Sequence, residues 1–381
     1  MAFSSHSVAL LRSIVAPNRD PQPEDVSALL SQTTDWEEVL SAASLHGVSQ
    51  SLCSRLSQFS EQIPDEIVQT LRAEYERNAF HCLTNAAELH ALLNAFQESG
   101  IRVMPFKGVT LAASAYRDIS ARNAGDLDLL VSEPDLQGAT KILKGRGYVL
   151  STPAGEDGKP VQEHYYELHF DRPTDGMVVE LRWRLELTQR FSAILGLDWV
   201  WPSRKQVNLA GREVPCFDPV RNLLMLCMHG SKHRWSRLMW VCDVARAVGS
   251  EPGLDWDAVL AEAQRTGLVR PLALGVILAN RLADARVPGP VLRRLEKDRS
   301  MRSMAEFFSE HLLSEPERIP AGRVPYNVQL LGPRDRLGTV LSRGFLAPNA
   351  QDRAFVKLPR SLDVLYYLVR PIRILMDRSG R

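Results

Sequence analysis

The chain has 381 residues, long enough for two or three compact units, because a single core rarely grows beyond about 250 to 300 residues. Hydrophobic residues make up 45% and charged residues 24%, which excludes a predominantly disordered chain. Forty-six Lys and Arg against 45 Asp and Glu leave a formal charge of +1, so composition excludes bulk attraction to duplex nucleic acid, and any anion binding must be local.

The N-terminal MAFSSHSVALLRSIVAP is too short and too interrupted, at Arg12, for a secretory signal with a cleavage site. No segment reaches the roughly 18 to 20 uninterrupted apolar residues that cross a bilayer. The five cysteines form no CxxC pair and are odd in number, which argues against a zinc site or a complete disulfide framework. A cytoplasmic protein is expected.

Residues 24–100 read as helices, with apolar residues recurring at three- and four-residue steps in VSALL, DWEEVLSAASLHGVSQSLCSRL and NAAELHALLNAFQESG, and with Gly100 as the stop. The period then changes. IRVMPF, DLDLLV, YVL, YYELHF and MVVELRW are short apolar or alternating runs, as expected of strands, while VTLAASAYRD and DLQGATKILKGRG read as helices between them. VNLAGREVPCF predicts a hairpin turning at Ala210 and Gly211, and Asp218 with Pro219 predicts a capped helix start.

The expected fold class is α+β, a small mixed sheet flanked by N-terminal and C-terminal helical regions. The expected divisions are a helical region over 1–100, the sheet core over 101–217, a helical domain over 218–314 and an irregular segment over 315–381 ending in an amphipathic helix. That terminal helix, DVLYYLVRPIRILM, is read as docked on the protein, with contact to a membrane surface as the other reading its arginines permit.

The sharpest local feature is Gly125-Asp126-Leu127-Asp128-Leu129-Leu130-Val131. In a strand, alternate side chains share a face, so Asp126 and Asp128 project together while the leucines turn inward. Two adjacent carboxylates repel, and a divalent cation offsets that well, although such pairs also occur on solvated strand faces. Upstream, Lys107 and Gly108 stand between a strand and a helix that begins with Val109 and Thr110, where a glycine lets backbone approach phosphate. Arg117 and Arg122 are further phosphate candidates, or partners of Asp118.

Downstream, Glu180 lies centrally in the strand VVELRW among apolar residues that make an unpaired charge costly. A partnership with Arg182 is disfavoured in this reading, and Arg184 or an arginine of another strand is preferred. Phosphoryl or nucleotidyl transfer with metal assistance needs carboxylates on neighbouring strands. After Asp218, His229, Lys232 and His233 share one helix face at spacings of three and four, fit either to line a cleft or to be bonded structurally. Asp243 is read as a cap, a partner of Arg246, or a cleft residue. Trp235, Trp240, His164 and His169 are read as structural.

As a set, FKGVTLAASAYRDISARNAGDLDLLV, VVELRWRL and LLMLCMHGSKHRWSRLMWVCDVAR resemble the uncharacterised bacterial nucleotidyltransferase family of the polymerase-beta-like superfamily, over about residues 30–300. The resemblance implies Asp126 and Asp128 as Mg²⁺ ligands, with Mn²⁺ as a substitute, and Glu180 as the third catalytic carboxylate. It places Lys107 and Gly108 at the phosphate turn. Superfamily members usually carry Gly-Ser or Gly-Gly there and a shorter gap, whereas here Val109 follows Gly108 and 17 residues precede Asp126.

The expected function is transfer of a nucleoside monophosphate from an NTP such as ATP to a small-molecule, sugar or peptide acceptor. Lys107, Gly108, Thr110, Arg122, His229, Lys232 and His233 are the nucleotide-binding candidates. The alternative is an inactive nucleotide- or protein-binding module of the same fold.

Overall fold

A computed structural model describes residues 3–15, 23–32, 34–151, 166–185, 195–315 and 326–331, with scattered positions between 352 and 373. The chain divides into two compact units, Met1–Gly322 and Arg323–Arg381. Most of the irregular stretch and terminal helix expected after residue 314 lies outside the described residues, as does His164. Within the second unit, the Tyr366 hydroxyl donates to the Val356 carbonyl at 2.8 Å, and Arg373 pairs with the buried Asp352 at 2.7 Å. Among the described residues no helix is long and apolar enough to cross a membrane.

The first unit opens with α1 (Ser5–Val15), α2 (Pro23–Leu30), α3 (Trp36–Leu45) and α4 (Ser49–Leu56). Asp35 caps α3, accepting from the Glu38 amide and satisfying a donor that the helix leaves open. α5 (Asp65–Glu98) is a 34-residue helix that ends at Gly100, whose φ of 69° is a left-handed conformation that side chains resist.

The sheet follows in the predicted order: β1 (Val103–Phe106), β2 (Leu127–Val131), β3 (Val149–Leu150), β4 (Glu167–Arg172) and β5 (Met177–Arg182). Their spatial order is β1-β2-β5-β4-β3, with β2 and β5 parallel and every other pair antiparallel. It is the mixed sheet expected of the α+β class. α6 (Gly108–Leu111) leaves β1 and continues as a π-helical turn over Ala112–Tyr116; α7 (Leu136–Gly145) follows β2.

Leu89, Leu92 and Phe96 of α5 pack with Leu127, Leu129 and Val131 of β2 in one buried cluster. At roughly 25 cal/mol per Å² of apolar surface removed from water, this cluster is the main force holding α5 to the sheet. Two buried asparagines on α5 add direction. Asn78 donates to the Ser120 carbonyl at 2.9 Å and Asn85 to the Ala124 carbonyl at 2.8 Å, fixing the loop that delivers Asp126 and Asp128.

A short helix α8 (Leu197–Val200) leads to the hairpin of β6 (Lys205–Leu209) and β7 (Arg212–Cys216). The turn falls at Ala210 and Gly211, both at positive φ, as the sequence predicts. The helical part then runs through α9 (Pro219–Lys232), α10 (Leu238–Gly249), α11 (Trp256–Thr266), α12 (Val269–Ala283), α13 (Gly289–Leu295) and α14 (Arg299–His311). Asp218 caps α9 through the Val220 and Arg221 amides, with Pro219 at the first helical position. Trp235 is fully buried between α9 and α12, where a side chain at Gly230 would lie 2.4 Å from its ring.

Candidate active site

Strand register brings the carboxylates together. Asp128 of β2 stands opposite Glu180 of β5, and Glu180 opposite His169 of β4, so one row of side chains crosses three strands. Asp126 lies just before β2. One oxygen from each of Asp126, Asp128 and Glu180 falls within 4.8 Å of the others. Burial, and then the neighbouring Asp128 charge, raises the Asp126 carboxyl above its ordinary range; burial likewise raises Asp128, which is 2% exposed.

β1 ends at Phe106, and the backbone turns through Lys107 and Gly108 at φ of 53° and 43°. A side chain at Gly108 would meet the Asp126 carbonyl oxygen at 3.1 Å. The Lys-Gly turn is therefore seated on the chain entering β2, which explains why a 17-residue gap in sequence does not separate the two in space. Lys107 Nζ lies 2.7 Å from Asp128 Oδ1, and Arg182 Nε lies 3.4 Å from the same atom. Asp128 is thus buried against two cations, with Lys107 the nearer.

Arg182 corrects one expectation. Its guanidinium pairs with Glu180 and also with Glu167, opposite it on β4, while Arg184 reaches Glu133 at 2.7 Å instead. Residues two apart on a strand share a face, and a long guanidinium can fold back along that face. Burial works against the Arg182 charge, but Asp128, Glu167 and Glu180 together outweigh it and hold the guanidinium firmly protonated.

The cluster opens into a cavity of about 620 Å³. Its far wall is the predicted face of α9, His229, Lys232 and His233, joined by Trp240 of α10 and by Gly47 at the corner between α3 and α4. The ring centroids of His229 and His233 are 4.6 Å apart, and His233 lies 5.0 Å from Trp240. Burial, then the nearby cations, lowers His229 well below its usual value; burial, then Lys232, holds His233 at about 4. Both imidazoles are therefore neutral near pH 7. Trp240, read as a packing residue, forms part of this wall.

Of the nucleotide-binding candidates, Thr110 lies away from the cavity and Arg122 lies at its border with a partner of its own. Thr110 is 3% exposed and lies behind the turn, outside the cavity wall. Arg122 borders the cavity, but its Nε and Nη2 donate to Asp243 at 2.8 and 3.0 Å, with both side chains buried. Burial opposes the Arg122 charge and Asp243 overcomes it. Asp243, left open between three readings, is thus the Arg122 partner, and it also accepts from Tyr116 at 2.8 Å. Arg117 turns away to the Ser250 carbonyl at 3.4 Å.

Residues 32–284 match the profile of the uncharacterised nucleotidyltransferase family. The chain belongs to that family. No curated protein matches it. Among solved structures, the antibiotic-resistance factor ANT(2'')-Ia aligns with 14% identity and a TM-score of 0.34, over 48% of this chain and 92% of that one.

In this nucleotidyltransferase, sequence reading missed Glu167 and undervalued His169. Glu167 is a fourth carboxylate of the cavity, 3.7 Å from Lys232 Nζ and 3.4 Å from His169 Nε2. Burial pushes it up, but the His169 hydrogen bond, Arg182 and Lys232 prevail and hold it at about 2. The signal was present in YYELHF, where Glu167 and His169 occupy alternate positions and so one face.

Proposed function

We propose that this nucleotidyltransferase moves a nucleoside monophosphate from an NTP to a hydroxyl of a small-molecule, sugar or peptide acceptor, with Mg²⁺ held by Asp126, Asp128 and Glu180. The observation that carries the reading is the gathering of three carboxylate oxygens within 4.8 Å at the cavity floor, with Asp126 and Asp128 both raised above the ordinary carboxylate range by burial. A close-set group of hard-oxygen donors suits a divalent cation of the Mg²⁺ or Mn²⁺ kind. Bound there, the cation would supply charge neutralisation for the phosphates and the leaving group.

The protein's own groups do the rest. Lys107 carries three donors on one ammonium, so it can keep Asp128 and still reach a phosphate oxygen. Gly108, lacking a side chain, lets phosphate approach the backbone of the turn. Lys232 lies across the cavity and adds a second mobile cation. His229, His233 and Trp240 offer neutral, flat surfaces, better matched to a base or an acceptor ring than to phosphate.

In the transfer, the acceptor oxygen bonds to the α-phosphorus while the bond to the β-phosphate oxygen breaks. Pyrophosphate leaves, and the acceptor proton passes to a carboxylate. Glu180, at the half-buried edge of the cluster, is placed to take it.

The test compares wild type with Asp126→Asn and Asp128→Asn, measuring NTP binding with and without Mg²⁺ and transfer of α-phosphate label to acceptors in cell extract. Wild type should show Mg²⁺-dependent binding and labelling, and both variants should lose labelling. Equal behaviour of all three proteins would refute the reading. Tight nucleotide binding with no label transferred by wild type would favour the binding module, for which the salt bridges of Arg182 to the cluster are the supporting observation.

A further inference from the structure

A second cavity, of about 460 Å³, lies at the end of β1 remote from Lys107, between α5, the start of β1, Trp201 and the β6–β7 hairpin. Its rim is basic. Arg102, Arg204 and Arg212 line it against a single carboxylate, Glu213. Arg102 has only the exposed Asp198 at 3.9 Å, and among the described residues neither Arg204 nor Arg212 has a carboxylate within ion-pair distance.

These arginines are arranged rather than loose. The Arg204 guanidinium lies 4.3 Å from the Trp201 ring centroid and donates to the Trp201 carbonyl at 2.9 Å, and Arg102 lies 5.7 Å from the same ring. Arg212 donates to Asn94 Oδ1 at 2.8 Å. A guanidinium resting on an aromatic face keeps further N–H groups at its edge, in the planar fork that fits a carboxylate or phosphate. Beneath the rim the wall is part apolar, from the half-buried Leu93 and Ile101, and part polar, from Asn94 and Gln97. His90 shares that wall, with its Nε2 shut off from solvent.

We propose that this cavity binds an amphiphilic organic anion, whose carboxylate or phosphate head sits among Arg102, Arg204 and Arg212 and whose apolar body covers Leu93 and Ile101. It is a site separate from the carboxylate cluster and does not depend on the transfer reaction. Three cations gathered on one rim attract an oxyanion, and the apolar groups beside them favour one that carries an apolar body.

The experiment is calorimetric titration of the full chain with octyl phosphate, octanoate and inorganic phosphate. Octyl phosphate or octanoate should bind at least tenfold more tightly than inorganic phosphate, and the tighter of the two identifies the head group. The double variant Arg204→Ala/Arg212→Ala, at two exposed positions, should weaken that binding at least tenfold, whereas Asp126→Asn/Asp128→Asn should leave it unchanged. As a measurement independent of those arginines, the Trp201 indole N–H resonance, assigned by its loss in Trp201→Phe, should shift on titration. The proposal is overturned by inorganic phosphate binding as well as octyl phosphate, by undiminished binding in the arginine double variant, by loss of binding in the aspartate variant, or by an unmoved Trp201 resonance.

Discussion

Asp243→Asn is the sharpest perturbation of the framework around the carboxylates. Arg122 and Asp243 are joined by two hydrogen bonds of 2.8 and 3.0 Å, and their side chains are 6% and 1% exposed. The pair ties the loop before β2 to α10, while Asn78 and Asn85 hold the same loop from α5. An asparagine keeps the volume but removes the charge, leaving a buried guanidinium without its counter-ion. Breaking a buried pair on one side costs about 3–5 kcal/mol, a large share of a typical total of roughly 5–15 kcal/mol. The assay is urea unfolding followed by circular dichroism, on wild type, Asp243→Asn, Arg122→Met and the double variant Arg122→Met/Asp243→Asn. Each single variant should lose about 3–5 kcal/mol, and the double should lose less than their sum by well over 1 kcal/mol, because it leaves no charge unpaired. A single-variant loss below about 1 kcal/mol, or strict additivity, would show that the pair is not what fixes this loop.

Three further outcomes follow from the geometry. Gly108→Ala places a side chain 3.1 Å from the Asp126 carbonyl at a φ of +43°, so the melting temperature should fall and NTP affinity measured by calorimetry below that temperature should fall at least tenfold; unaltered affinity would remove the turn from the nucleotide site. Arg182→Met removes the cation shared by Asp128, Glu167 and Glu180, so the chain should lose about 3–5 kcal/mol of stability in chelator and recover part of it with millimolar Mg²⁺, and a thermal shift indifferent to Mg²⁺ would contradict the proposed metal site. Burial holds His46 at about 4, and its Nδ1 accepts from the Leu238 amide at 3.4 Å. Because the folded value is depressed below the ordinary 6.5, the unfolded chain takes up the proton first, and stability present above pH 6.5 is lost as pH falls toward 4. Against His46→Asn, whose oxygen can replace Nδ1, the wild-type advantage should shrink by about 2 kcal/mol between pH 7.5 and pH 5; a constant difference would mean that His46 does not stay neutral.

Much of this architecture was legible because local chemistry and position agree. The five sheet strands, the Ala210-Gly211 turn and the Asp218-Pro219 helix start all declared themselves by period, turn residues or caps. The carboxylate trio was legible for the same reason, since Asp126, Asp128 and Glu180 are polar residues in or beside strands of otherwise apolar character. What could not be read was pairing across the chain. Arg122 and Asp243 are 121 residues apart, and nothing local distinguishes an arginine waiting for phosphate from one already bound to a distant aspartate. The corner at His46 and Gly47, whose carbonyl receives the Met239 amide, likewise carries no sequence mark of its place beside the cavity.

On the proposed reading, the electrostatics of the cavity require nucleotide and metal to arrive as partners. Four carboxylates, Asp126, Asp128, Glu167 and Glu180, are matched by Lys107, Arg182 and Lys232, an arrangement already close to balance without any ligand. The balance is uneven, however. Arg182 and Lys232 favour Glu167, which stays ionised to about pH 2, whereas burial leaves Asp126 and Asp128 with a raised affinity for protons. A triphosphate entering alone would add several negative charges beside two aspartates already short of compensation, and in a partly desolvated cavity that repulsion is poorly screened. A divalent cation at the aspartates reverses the sign of the interaction. Binding of the NTP should therefore rise with Mg²⁺ concentration in wild type and lose that dependence when Asp128 is neutralised, a coupling that a cavity built for uncharged ligands would not display.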